Sequence, residues 1–468
     1  MPTEFSPAEF AAEFQKFIAF VNAQAPQPAP AAPTLSDKIL AFMDAAPTSM
    51  VILTEKFLER DLPNLQRAFD HFLTGPDRFA DQIGYIAEHE PSGFGLGMIL
   101  SPPRWQVISE GPVRYRSVEL ADGQRLQCME KGLYLISDHG SKAAALLRVD
   151  EHAYSRPPVT LDILCLEAER AEALLAEIRR LVHERNVYRG QVISLGAKGA
   201  DDIRFHSLPA VKREEIILPA RLLQTVERNT IGFAQHASRL RAAGRHIKRG
   251  LLFHGPPGTG KTLTIMFLAA QMPGRTVILL TGRIMGLITQ SCQLARLLAP
   301  SMVVLEDVDL VAQERDSEAE RGPLLFELLN EMDGLSADTD VLFLLSSNRP
   351  DLLEPALAAR PGRIDQAVAF PLPDAEGRRR LFALYGRGLD LRAGDLEDMV
   401  RRTEGASPAF IRELLRKAAL VSAEQSPDSA APPVVADGHL REALRAIVED
   451  GGQLTKTLLG VAAGALEV

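Results

Sequence analysis

The run Leu251-Leu252-Phe253-His254-Gly255-Pro256-Pro257-Gly258-Thr259-Gly260-Lys261-Thr262 constrains this chain more than any other stretch. A short apolar strand leads into the spacing G-x-x-x-x-G-K-[ST], and the helix-forming LTIMFLAAQ follows. A loop set between a strand and a helix in this way encloses phosphate. Its glycines let backbone N–H groups close around phosphate oxygens, and the helix N-terminus adds a favourable dipole. Lys261 is placed to reach the β and γ phosphates, and the Thr262 hydroxyl to ligate Mg²⁺.

Further along, Met302-Val303-Val304-Leu305 reads as a buried strand ending in Glu306-Asp307. Two carboxylates delivered beside a phosphate loop suit a metal shell and the activation of water. A third strand, VLFLLSS (341 to 347), presents Asn348, whose amide could hold an attacking water, although Asn-Arg-Pro also makes an ordinary turn.

With SSNRPDLLEPAL and ARPGRID added, the chain resembles the AAA clade of AAA+ ATPases over roughly residues 215 to 450, with the motifs in the family's order. The resemblance implies an α/β fold: a P-loop AAA+ core, a parallel sheet flanked by helices, with a C-terminal helical lid. It implies ATP and Mg²⁺ as cofactors, with Asn348 as sensor 1. Arg360 and Arg363 would be arginine fingers reaching the γ phosphate held by a neighbouring subunit, so a homo-oligomer, a hexamer, is implied. Gly405-Ala406-Ser407 corresponds to the sensor 2 turn, and Ile231-Gly232 to the backbone lining the adenine pocket.

Two features depart from the family. The acids stand as Glu306-Asp307 rather than Asp-Glu, an order shared with the mitochondrial Rieske-protein translocase. Asp307 is therefore the expected catalytic carboxylate and Glu306 the magnesium-side one. Between Leu279 and Leu294 the family's aromatic pore loop is replaced by Ile284-Met285-Gly286. These residues either contact a threaded polypeptide or pack internally. The reading is a Mg-ATP-dependent hexamer that remodels a protein client; the alternative is a nucleotide-switched scaffold that recruits a partner without threading.

Upstream, Phe10, Phe14, Phe17, Ile18 and Val21 recur at helical spacing, an amphipathic helix over 1–24 that docks on a partner or packs on its own chain. A Pro/Ala linker, 25–34, follows it. Residues 35–215 read as an α+β partner-binding domain: helical from Leu35 to Leu73 with Ser36 as N-cap, then strand-prone at 132–137, 144–149 and 159–165. A helix over 168–184 and a strand over 187–195 complete it. The remaining boundaries are 216–373 for the large ATPase domain, 374–450 for the lid and 451–468 for a tail. His89-Glu90 and His183-Glu184 do not continue as H-E-x-x-H, so a zinc-protease motif is absent.

A net charge of −9 argues against a nucleic-acid binder, which needs clustered cations to displace counterions. Three widely spaced cysteines suggest neither disulfides nor zinc. No stretch approaches the roughly 20 apolar residues of a membrane span, and the acidic start does not suit a signal peptide. A cytoplasmic location is expected.

Overall fold

The computed structural model of the chain describes residues 14–16, 33–88, 90–91, 93–150, 158–196, 199–281, 287–309, 323–334, 339–353, 363–392, 394, 396–425, 432–450 and 460. Outside them lie most of the expected N-terminal helix and linker, the Ile284-Met285-Gly286 loop, Arg360 and all of the tail except Gly460. The chain divides into two compact units, residues 1–116 with 128–181 and residues 117–127 with 182–468.

The first unit is built on α1 (Leu35–Met43), β1 (Val51–Phe57), α2 (Leu62–Phe72), β2 (Arg78–Ala87), α3 (Leu96–Leu100) and β3 (Ile108–Gly111). It continues through β4 (Arg114–Glu119), β5 (Arg125–Asp138), β6 (Ser141–Val149), β7 (Val159–Cys165) and α4 (Ala168–Glu184); β4, β5 and α4 run on across the division. The strands form one sheet, β1-β7-β6-β5-β2-β3, with β4 beside β5. Successive side chains point to opposite faces of a strand. Leu133 and Leu135 thus join α1 and α3 in one apolar layer, while Tyr134 between them stacks on Phe69 of α2, ring centroids 4.6 Å apart.

Two expectations for this region are corrected. Helix α1 is capped by Thr34, not Ser36: Thr34 Oγ1 accepts from the Asp37 N–H and the Asp37 carboxylate accepts from the Thr34 N–H. The stretch from Leu35 to Leu73 is not helical throughout, because β1 interrupts it and pairs antiparallel with β7 from Val51↔Cys165 to Phe57↔Val159.

The second unit begins earlier than the expected boundary near residue 215. β8 (Val192–Gly196) and β9 (Gly199–His206) belong to its sheet, with β8 pairing parallel to β11 (Thr276–Leu280). The sheet runs β14-β10-β13-β12-β11-β8-β9, where β10 is Arg249–His254, β12 Ser301–Leu305, β13 Val341–Ser347 and β14 Gln366–Ala369. Parallel strands covered on both faces need apolar residues at every position. Met302 and Val304 accordingly face the layer containing α5 (Ala220–Glu227) and α6 (Lys261–Ala270), whereas Val303 and Leu305 face α7 (Ile288–Leu297) and α8 (Pro323–Asp333).

A helical subdomain follows: α9 (Ala375–Tyr385), α10 (Leu396–Arg402), α11 (Pro408–Gln425) and α12 (Asp437–Arg445), with a small parallel pair β15 (Asp390–Arg392) and β16 (Val434–Ala436). It has its own core, in which Phe382, Phe410, Leu414 and Leu440 are fully buried. No helix among the described residues is long and apolar enough to cross a membrane.

Candidate functional site

A cleft of about 610 Å³ opens where β10 passes into α6, and residues 257–264 form its floor. Gly258 adopts φ +74°, and a Cβ there would stand 2.8 Å from both Ser407 Oγ and Ala409 Cβ. Only glycine lets the loop and the start of α11 approach so closely. The Ala409 N–H donates to the Gly258 carbonyl at 3.3 Å, which closes this contact. Gly460 of the C-terminal segment is buried at the same junction, where a Cβ on it would come within 2.1 Å of the Pro257 carbonyl oxygen.

Lys261 is 6 % exposed, and its ammonium donates to the Gly255 and Pro256 carbonyls at 2.8 and 2.9 Å. Burial lowers its pKa to about 8, against the opposing pull of Asp307 and Asp309. Desolvation disfavours the charged form, and an anion brought into the cleft would restore it. A triphosphate fits this cation and the glycine-lined loop. For the metal, the described residues contain no group of three His, Cys, Asp or Glu that could hold an ion. Mg²⁺ is commonly held by one or two protein oxygens together with phosphate oxygens. Thr262 lines the cleft and offers one such oxygen.

The carboxylate side is organised by neighbouring strands. β12 and β13 run parallel with Leu305 opposite Leu345, so the residues that follow each strand lie side by side. Asp307 adopts φ +50°, a left-handed conformation that aspartate tolerates better than most residues. Its N–H donates to Ser346 Oγ at 3.2 Å, and its Oδ1 accepts from Asn348 Nδ2 at 3.0 Å. Asp307, Ser346 and Asn348 all line the cleft. Glu306 is not among the lining residues; its N–H donates to the Leu280 carbonyl at 3.3 Å.

Other expected site residues lie elsewhere. Ile231 packs in the core beside α5, and Gly232 lines a separate pocket with Arg228, Phe233 and Arg249. The end of the cleft away from Lys261's loop is lined instead by Ile216, Ile217 and Leu218 before α5 and by Leu381 and Tyr385 of α9. Gly405 and Ala406 do not line the cleft; Pro408, Ala409 and Arg412, further along the same turn and helix, do. The extended IIL run has no motif of its own, but a Pro219 helix start after three apolar residues was a usable signal for a strand-like segment at a helix entry.

Residues 251–372 match the family described as ATPase family associated with various cellular activities (AAA). This stretch is an AAA ATPase domain. The chain is 36% identical over 210 residues to an ATP-dependent zinc metalloprotease FtsH 1 of Sorangium cellulosum, covering 42% of this chain and 34% of the relative. It is 32% identical over 240 residues to an ATP-dependent zinc metalloprotease FtsH of Rhodococcus erythropolis, covering 48% and 27%. It is also 34% identical over 194 residues to a proteasome-activating nucleotidase of Methanopyrus kandleri, covering 38% and 44%. The match thus spans about a third of the length of the first of these relatives. Within the AAA domain, Arg363 stands apart from the cleft. Its carbonyl lies 2.4 Å from where a Cβ on Gly250 would be, at the start of β10. The phosphate loop begins at the other end of that strand.

Proposed function

We propose that the chain is a Mg-ATP-dependent AAA ATPase that works as a ring of identical subunits, a hexamer, and remodels a protein client. The observation that carries the ring is the position of Arg363. Gly255 lies five residues along the chain from Gly250, which at about 3.3 Å per residue of strand is roughly 16 Å. An arginine side chain does not bridge that length, so the guanidinium serves a phosphate held by another copy.

In this reading Lys261 and the loop amides bind the triphosphate, and Asp307, aligned by Asn348, takes the proton from the attacking water. Bound Mg²⁺ supplies charge neutralisation on the phosphate oxygens. Thr262 would hold it, with Glu306 as the magnesium-side carboxylate. Arg363 from the neighbour stabilises charge as the bond to the leaving phosphate breaks. The protein client rests on likeness, since the relatives are named as an ATP-dependent metalloprotease and as an activator of the proteasome. The first unit supplies a surface for such a client, because Phe79, Ile86, Trp105 and Val107 are more than half exposed.

Mixing experiments test the shared site. Arg363→Ala keeps an intact loop but lacks the finger, whereas Lys261→Ala keeps the finger and cannot hold phosphate. Each alone is expected to be inactive, and equimolar mixtures to regain measurable ATP turnover. Mixtures as inactive as the separate variants would exclude catalysis across a subunit boundary.

A further inference from the structure

Asp309 has no part in the motif reading, yet it is one of the most deeply placed acids in the second unit, 4 % exposed. Its Oδ1 accepts the backbone N–H of Asn348 at 3.0 Å. Asn348 is therefore gripped at two points by two carboxylates: its backbone by Asp309 and its side-chain amide by Asp307. Both contacts are half-buried, and the second opens on the cleft. A residue held at its main chain loses the freedom to swing its amide away, and small displacements of positioning groups are costly in catalysis.

We propose that Asp309 is a positioning residue of this site: its carboxylate fixes the backbone of Asn348, so that the amide meets Asp307. The proposal rests on the ATPase reading above. A backbone N–H needs only an acceptor, and an asparagine would provide one of the same shape. Two substitutions can therefore tell the loss of the acceptor from the loss of the acid.

Asp309→Asn keeps an acceptor for the Asn348 N–H; Asp309→Ala removes it. The affinity for a fluorescent ATP analogue and turnover at saturating ATP are measured, with thermal unfolding as a check on folding. Affinity should change little in either variant, whereas turnover should fall about tenfold or more further in Asp309→Ala than in Asp309→Asn. A loss of turnover in Asp309→Asn as large as in Asp309→Ala overturns the assignment of positioning. A wild-type chain that binds the nucleotide without hydrolysing it would defeat the ATPase reading instead.

Discussion

Lys261 sets how the site answers to pH. Burial lowers its pKa to about 8, so the ammonium is charged below that value and neutral above it. A triphosphate binds the charged form, which means that affinity is full below pH 8 and declines as pH rises through it. Above pH 8 binding should also take up a proton, and calorimetry in two buffers of different ionisation enthalpy should show the difference. Equal binding heats and constant affinity across that range would contradict this environment for the lysine. The loop itself was legible in the sequence because its residues are consecutive and their chemistry is local. The opposite end of the cleft was not: Ile217 and Tyr385 meet there only through the fold, and Ile231-Gly232 was favoured by likeness instead.

At the scale of elements, β8 shows where local reading stops. The run VISL was recognisable as a strand, but the partner of a strand is a non-local property. Its pairing with β11 assigns it to the ATPase sheet. Ile193 and Leu195 are fully buried with Ile278 and Leu280. Ile193→Ala should therefore cost about 2–5 kcal/mol, the usual range for emptying a buried aliphatic site. The loss should appear in the unfolding transition that ATP shifts, as followed by denaturant titration with and without nucleotide. Placement of the loss in a nucleotide-insensitive transition would restore the boundary near residue 215. β1 escaped notice for a related reason: VILTEKF is short and apolar enough to continue a helical pattern, although Pro47 and Pro63 bracket it as breakers.

For the whole molecule, the proposed use of Arg363 across a subunit boundary predicts that activity depends on assembly. Turnover per chain should rise with chain concentration and level off when rings are complete, and light scattering should report the assembled mass over the same range. A dilute monomer with full turnover would remove the need for a ring. The AAA class was readable from motifs spread over the second unit, whereas the division of the chain was not. The path passes from one unit to the other at residues 116, 127 and 181, inside β4, β5 and α4. A seam crossed three times cannot be cut and rejoined once. Exchange of this head for another by recombination, natural or engineered, would have to carry residues 117–127 and the β8–β9 hairpin correctly. Any exchange of one unit therefore has to leave β4, β5 and α4 whole.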